Sequence, residues 1–176
     1  MKLFPELEKR YTKDPYTARE AQRMAEFIAF GPMVFQASRL LVKYGILELL
    51  REHREGLTEE EVIKATGLKE YTVKCLLEAG LCIGTVLVNV DTDRYTISKI
   101  GWFLLTDEAA KVNMDFNNDV NYEGMFDLDC SFKEGRPVGL KHFGQWPTIY
   151  EGLSSLPEQA QKSWLGFDQT ILSRRH

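Results

Sequence analysis

The sequence predicts a mainly α-helical fold with one small β-hairpin, arranged as a winged helix-turn-helix with additional helices at both ends. Apolar residues recur at helical spacing over most of the chain. Residues 56–84 predict two short helices joined by a tight turn. The apolar period then changes from 3.6 to 2 in "TVLVNV" (85–90) and "RYTIS" (94–98), and the short polar segment 91–93 between them predicts a hairpin. Helices followed by a hairpin make a winged helix.

Composition and charge narrow the class of protein. The chain has 176 residues, about one domain, and a formal net charge of −4, which gives no overall attraction to polyanions. Its three cysteines are odd in number and form no C-x-x-C pair, so neither a zinc site nor a disulfide framework is indicated. This cysteine usage is typical of a reducing cytosol. We therefore expect a cytoplasmic protein.

The longest apolar stretch near the start of the chain is "FIAFGPMVF" (27–35), which Gly31-Pro32 interrupts. It is far shorter than the ~20 residues that span a bilayer. It also lacks the basic region and the small-residue cleavage site of a signal peptide. No membrane partner is expected.

The first part of the chain predicts three helices. Thr17 is placed to cap the first of them, and Gly31-Pro32 is expected to stop it. The predicted helices cover 17–30, about 33–43, and a segment starting after Gly45.

The helix-turn-helix carries its own capping signals. Thr58 and Glu61 have the spacing of a capping box, in which each side chain satisfies a free backbone N–H of the other residue. Gly67 is well placed to end this helix in the left-handed conformation. The second helix is predicted over about 70–82, with its buried face formed by Val73, Leu76, Leu77 and Leu81.

Beyond the hairpin the pattern is helical again, over 100–131 and about 145–165, with "EGRPVG" (134–139) as the clearest loop. We divide the chain into a segment 1–16, a winged-helix unit 17–100 and a helical extension 101–176. The first segment is rich in charge and contains two prolines, so it is either flexible or ordered by dimer formation.

Four stretches, taken in order, resemble the N-terminal domain of the plant-type, hydroxyindole-like small-molecule O-methyltransferases. They are "ASRLLVKYGILELL" (37–50), "GLTEEEVIKATGL" (56–68), "LLEAGLCIG" (76–84) and "RYTISKIGWFLL" (94–105). "EGRPVGLKHFGQWPTIYEGL" (134–153) is similar to the segment before the catalytic domain of that family. The resemblance implies that 17–100 is a dimerisation domain of an intertwined homodimer, and that a Rossmann-like domain elsewhere in the parent enzyme binds S-adenosylmethionine.

The sequence departs from that family after the resemblance ends. The family continues with a strand, a glycine-rich turn for the methionine moiety and a histidine base, but the glycines here never form G-x-G and no β-α-β alternation follows residue 100. The last stretch, "GFDQTILSRRH" (166–176), no longer follows the family pattern. We therefore expect 101–176 to lead toward an absent S-adenosylmethionine-binding domain. No cofactor is expected in this chain, and the chain alone is not expected to transfer methyl groups.

The charges of the winged helix argue against DNA binding. Between residues 57 and 98, acidic residues outnumber basic ones seven to four. The second helix presents Glu70, Lys74 and Glu78 along one outward line, which would repel a phosphate backbone rather than neutralise it. A structural role for the winged helix is the favoured interpretation.

Independent catalytic or metal chemistry is not indicated. The three histidines, His53, His142 and His176, are scattered, and Cys130 has no histidine near it in sequence to activate it. "NMDFNND" (113–119) alternates Asp and Asn but lacks the Gly and Glu that a calcium loop requires. No catalytic, cofactor-binding or metal-binding residue is assigned.

One apolar group is a candidate dimer interface. Phe27, Phe30, Met33 and Phe35 flank the predicted helix break, and a contiguous exposed patch of this kind often marks an interface. Filling the core is an equally good explanation from the residues alone. The resemblance favours the interface, because members of that family exchange their N-terminal helices.

A second group is a candidate wall of an acceptor pocket. By alignment with the family, Asn113, Met114, Met125 and Phe126 fall where the N-terminal domain helps enclose the methyl acceptor. Met114 and Phe126 would hold a flat apolar molecule while Asn113 oriented a polar group on it. Met and aromatic side chains at helical spacing are more often ordinary core.

Three functions remain open from the sequence. The favoured one is a dimerisation and acceptor-recognition domain of an S-adenosylmethionine-dependent O-methyltransferase, with a homodimer and a small aromatic or apolar acceptor as partners. The second is a winged-helix transcriptional regulator that binds DNA. The third is a stand-alone small-molecule-binding protein.

Overall fold

The computed structural model describes residue 4 and residues 11–173, so most of the segment 1–16 lies outside the described residues. The predicted fold class is confirmed. The helices and strands are, in chain order, α1 (Ala18–Ala29), α2 (Gly31–Lys43), α3 (Ile46–Glu52), α4 (Glu59–Thr66), α5 (Glu70–Ile83), β1 (Val86–Asn89), β2 (Arg94–Ile97), α6 (Lys99–Thr106), α7 (Glu108–Phe116), α8 (Leu128–Glu134), α9 (Ile149–Gly152) and α10 (Glu158–Ser173). Shorter helical turns cover Asn117–Asn121, Gly124–Asp127, Val138–His142 and Leu153–Ser155.

The break between α1 and α2 falls at the predicted place. Helix α1 is capped by Thr17 in a complete capping box, as expected, and it ends at Ala29 with Phe30 as its C-cap. Helix α2 begins at Gly31, slightly before the predicted start near 33, with Pro32 in its first turn. Proline is tolerated there because the first N–H groups of a helix have no partner within the helix. The two helices bend by 71° at this junction.

Among the described residues, no single helix has both the length and the apolar character needed to cross a membrane; α1 and α2 meet those two criteria only when taken as a bent pair.

The winged helix is built around one apolar core. Val73, Leu76 and Leu77 are buried as predicted, whereas Leu81 is half-buried. The buried members of this core are Leu41, Ile46, Leu47, Leu50, Leu57, Val62, Val73, Leu76, Leu77 and Val86. They come from α2, α3, α4, α5, β1 and the segment before α4, so helices and hairpin fold as one unit.

The hairpin pairs as the sequence predicts. Strands β1 and β2 are antiparallel, with Val86 opposite Ile97 and Asn89 opposite Arg94. Leu57 adds a further bridge to Tyr95 on the outer side of β2. Gly56, just before it, has a φ of 83°, and a Cβ there would lie 2.9 Å from the Tyr95 carbonyl oxygen. The chain therefore needs glycine at this close approach.

A second apolar cluster stabilises the helical extension. Val120, Leu156 and Ala160 are its buried members. The partly buried residues that pack against them are Phe116, Phe143, Trp146, Ile149, Leu153 and Trp164. Gly152 lies against the Trp146 ring so closely that a Cβ would be 2.2 Å from the Cε3 atom. The last helix, α10, continues to Ser173, beyond the predicted end near 165.

Replacing Thr58 with alanine should reduce the free energy of unfolding by about 1 kcal/mol, because the N-cap hydroxyl is lost. The Thr58 Oγ1 accepts from the Glu61 backbone N–H at 3.3 Å, and the Glu61 carboxylate accepts from the Thr58 N–H at 2.9 Å. Urea denaturation measures the difference. Thr92→Ala at the exposed hairpin turn is the control. Equal destabilisation by the two substitutions would contradict the role of the cap.

Candidate dimer interface and acceptor wall

An apolar groove lies between α1, α2 and α5. Its volume is about 580 Å³. The lining residues are Arg23, Glu26, Phe27, Phe30, Met33, Val34, Ala37, Ala79, Cys82 and Ile83. The two charged residues, Arg23 and Glu26, are on α1, and the remaining residues are apolar or small. The groove is thus a hydrophobic surface with polar groups on one helix only.

Helix α1 contributes to this groove without being buried itself. None of its residues is buried, although it is strongly amphipathic, and Phe27 and Ile28 are 46% and 69% exposed. Phe30 and Met33, which continue the apolar side into α2, are 65% and 69% exposed. Burying a large apolar side chain is worth about 1.5–3 kcal/mol relative to leaving it in water. Within the part of the chain that the structure describes, α1 does not gain that free energy.

Three of the four candidate interface residues come together in the groove: Phe27, Phe30 and Met33. Phe35 does not line it. Its ring instead stacks on Tyr122, with centroids 5.5 Å apart, and joins α2 to the helical extension. The candidate set is therefore split between the groove and an intramolecular contact.

Helix α5 contributes to the groove, which was not predicted from the sequence. Ala79, Cys82 and Ile83 line its far side. They lie at i, i+3 and i+4, the spacing of one helical face. That spacing is the signal by which the sequence could have shown a second apolar face on this helix.

The four candidate acceptor-wall residues lie on two elements. Asn113 and Met114 are in α7, and Met125 and Phe126 are in the turn Gly124–Asp127. Phe126 is 87% exposed and Met125 47%, while Met114 is half-buried. Two cavities of about 550 and 540 Å³, between α7 and α10 and in the loop 136–147, are lined by other residues.

A polar network connects α2, the turn Asn117–Asn121 and α10. The Asp119 Oδ2 accepts hydrogen bonds from the Ser163 hydroxyl at 2.6 Å and the Gln159 amide at 2.9 Å. Asn118 donates to the Asp119 Oδ1 at 2.7 Å and accepts from the Gln36 amide at 3.4 Å. Burial alone would raise the pKa of Asp119, but these donors outweigh it and hold the pKa below its ordinary value.

Asp119 should therefore stabilise the fold in a pH-dependent manner. Because its pKa is lower in the folded than in the unfolded chain, its stabilisation is present above pH ~4 and is lost as the pH falls through the folded-state pKa. We expect Asp119→Asn to cost about 1 kcal/mol at pH 6, a value reduced by solvent access to the carboxylate, and little near pH 2. Thermal unfolding between pH 2 and 6 measures this.

The control for that experiment is Asp91→Asn, at the exposed tip of the hairpin. A difference between wild type and Asp119→Asn that stays constant over the whole pH range would show that ionised Asp119 is not the stabilising species.

The part of the chain that forms the groove and most of the winged helix matches a known protein family. Residues 22–95 match the family described as the Dimerisation2-like domain. This range contains most of α1, all of α2 to α5 and the first strand of the hairpin, and so it includes every residue that lines the groove.

Solved structures share the fold of this chain over a longer stretch than the family match covers. The S-adenosylmethionine-dependent methyltransferase SibL superposes with a TM-score of 0.69 at 24% identity, over 81% of this chain and 42% of its own. The mitomycin 7-O-methyltransferase MmcR gives 0.67 at 19%, over 86% and 44%. The N,N-8-amino-8-demethyl-D-riboflavin dimethyltransferase RosA from Streptomyces davawensis gives 0.62 at 19%, over 89% and 45%.

Together with the match to the Dimerisation2-like family, these likenesses confirm the resemblance stated from the sequence. At these identities they establish a shared fold. The chain spans less than half of the length of each of these methyltransferases. None of the curated protein sequences compared with the chain matches it.

Proposed function

We propose that the chain is the dimerisation and acceptor-recognition part of an S-adenosylmethionine-dependent O-methyltransferase. In this proposal it forms a homodimer through the groove between α1, α2 and α5. It also supplies one wall of the acceptor pocket, while a separate cofactor domain of the parent enzyme binds S-adenosylmethionine. The observation that carries the proposal is an amphipathic helix with no buried residue beside an apolar groove, both within the Dimerisation2-like domain.

The dimer follows from the energetics of α1. An isolated 12-residue helix is marginal in water, so α1 needs a surface on which to bury its apolar side. In a twofold-symmetric dimer both copies present the same surface, and α1 of one chain can cover the groove of the other. Phe27, Phe30 and Met33 would then be buried twice, once in each chain. The glycine-proline junction allows the 71° bend that directs α1 away from its own core.

The acceptor wall is supported by the exposure of Met125 and Phe126. Phe126 is largely in water and Met125 is about half exposed, although both side chains are apolar. Flexible Met and flat aromatic side chains suit the binding of a flat apolar molecule. Asn113 is exposed one residue before Met114 and can orient a polar substituent. We assign a small aromatic or apolar acceptor to this wall, and S-adenosylmethionine to the parent enzyme.

The geometry does not favour the alternative of DNA binding. Arg94, at the start of β2, pairs with Glu61 at 3.1 Å and donates to the Gly56 carbonyl oxygen at 2.7 Å. Glu70 and Glu78 are exposed on α5. The wing arginine therefore stabilises the winged helix itself, and the exposed side of α5 carries two negative charges against the single positive charge of Lys74.

The test is the solution mass of the chain by light scattering over a range of concentrations. We expect twice the chain mass of 20.3 kDa down to low micromolar concentration. A monomer over the whole range would overturn the homodimer.

The acceptor wall is tested separately, by titration with 1-naphthol, a flat aromatic alcohol, of protein whose methionine methyl groups are labelled with ¹³C. Saturable shifts of the Met114 and Met125 signals are expected. Binding that leaves both signals unchanged would overturn the assignment of the wall.

A further inference from the structure

A cluster of charged side chains surrounds Asp127, at the end of the turn that carries Met125 and Phe126. The Asp127 Oδ1 accepts from the Lys141 ammonium group at 2.6 Å, and its Oδ2 accepts from the His142 Nε2 at 2.9 Å. The Asp127 side chain is only 15% exposed. Hydrogen bonds from Lys141 first, and then from His142, hold the pKa of Asp127 below its ordinary value. Both oxygens of this carboxylate are therefore engaged by donors from one other segment.

That other segment is the turn Val138–His142, and the two turns also touch through their backbones. A Cβ on Gly139 would lie 2.7 Å from the Gly124 carbonyl oxygen, so the backbones of the two turns approach as closely as glycine allows. The Ser131 hydroxyl donates to the Asp127 carbonyl oxygen at 3.0 Å and accepts from the Val138 N–H at 3.0 Å. The turn Gly124–Asp127 is thus fixed at its first residue by glycine packing and at its last by charge.

Other charged groups lie near the cluster, and one of them, Glu123, also faces His142. Glu123 lies 3.8 Å from the His142 Nδ1 on the side opposite to Asp127's contact. On α8, Asp129 pairs with Lys133 at 2.7 Å. At the end of α8, Glu134 pairs with Arg136 at 2.6 Å. The pairing of Asp127 with Lys141 and His142 therefore stands apart from the pairs on α8.

The exposed apolar side chains of the turn do not fix it by packing. Phe126 is 87% exposed, so its ring gains little from burial in this chain. A short turn with exposed side chains keeps one conformation only if its backbone and polar groups are held elsewhere. The contacts of Asp127 are the charged part of that restraint.

We infer that Asp127, held by Lys141 and His142, is a positioning residue that sets the direction in which Met125 and Phe126 face an acceptor molecule. The restraint itself follows from the contacts of the turn, whereas its role in acceptor recognition rests on the proposed function. Replacing Asp127 with asparagine keeps the size of the side chain but removes the charge that Lys141 and His142 bind. The turn then loses its charged restraint while its glycine contact remains.

The experiment is ¹³C-methyl NMR of the full chain with labelled methionines. The chain has five methionines, of which Met125 and Met114 report the proposed wall and Met24 and Met33 the region of the groove. In Asp127→Asn, and in Lys141→Gln, the Met125 signal should shift and broaden while Met24 and Met33 stay unchanged. Lys141→Arg, which keeps a cation, should restore the wild-type Met125 signal. The matched control is Asp129→Asn, which removes the carboxylate of the exposed pair with Lys133.

The affinity for 1-naphthol provides a readout that a merely structural role would not change. At a temperature where both proteins are fully folded, Asp127→Asn should weaken binding about tenfold, whereas Asp119→Asn, which also removes a hydrogen-bonded carboxylate but lies away from Met125 and Phe126, should leave it unchanged. An unchanged Met125 signal in both Asp127→Asn and Lys141→Gln would overturn the inference, even if the protein is a dimer. A monomeric protein whose Met125 signal responds as expected would overturn the homodimer and leave the positioning role of Asp127 intact.

Discussion

Replacing Phe30 with alanine is expected to raise the dissociation constant of the proposed homodimer about 100-fold or more. Phe30 lies at the junction of α1 and α2, lines the groove and is 65% exposed in the single chain. Burial of a phenylalanine ring contributes about 1.5–3 kcal/mol, and twofold symmetry removes two rings from the interface at once. A change of about 1.4 kcal/mol corresponds to a factor of ten in affinity. Sedimentation equilibrium of wild type and variant measures the change.

The control for Phe30→Ala is Phe132→Ala. Phe132 lies on α8, outside the groove, and is 78% exposed. This substitution removes a phenylalanine ring that is at least as exposed as that of Phe30, and it should leave the dimer affinity unchanged. Because Phe30 is exposed in the single chain, its replacement should leave the circular dichroism spectrum unchanged too. If the homodimers of Phe30→Ala and Phe132→Ala have the same dissociation constant, the groove is not the interface.

Replacing Gly101 with alanine is expected to lower the free energy of unfolding by about 3 kcal/mol. Helix α6 crosses the hairpin at this residue, which is buried. A Cβ there would lie 2.3 Å from the Thr85 carbonyl oxygen and 2.9 Å from the Ile97 Cγ1. The first contact is with backbone, so relief requires α6 or the hairpin to move, and such overpacking typically costs 1–3 kcal/mol or more. Urea denaturation and a melting temperature lower by roughly 6–12 °C would measure it.

Gly166→Ala is the matched control. Gly166 is in α10, has no left-handed conformation, and a Cβ there would meet only the Val112 Cγ1 at 4.0 Å. Alanine in a helix interior is favoured over glycine by about 0.5–1 kcal/mol, so this variant should be more stable than wild type. A destabilisation of similar size in both variants would show that the close approach of α6 to the hairpin is not the cause.

Local signals in the sequence predicted the winged helix well. The capping box of Thr58 and Glu61 and the left-handed Gly67 both depend on neighbours within one helical turn, and both form as predicted. The helix break predicted at Gly31-Pro32 is present, but the pair lies in the first turn of α2 rather than between the two helices. The exact start of α2 could not be read from the sequence, because a proline that cannot continue one helix fits the first turn of the next.

The candidate sites were predictable only in part, since their members are distant in sequence. Phe27, Phe30 and Met33 could be proposed as one patch from their spacing along the chain. Their facing residues on α5 could not, because α5 lies some fifty residues away and its position follows from how the core closes. The same holds for Asp127 and Lys141, which are separated by 14 residues and meet only because two glycine-containing turns pack together.

The sequence by itself determined the helix periods, the caps, the hairpin and the acidic character of the winged helix, because each of these depends on residue type and on spacing within a few positions. Only the tertiary structure decided that α1 stays unburied beside an apolar groove, that Phe35 stacks on Tyr122, and that Asp127 is held by Lys141 and His142. These features depend on which surfaces remain after the two cores have formed. That outcome is set by packing over the whole chain, and no local pattern encodes it.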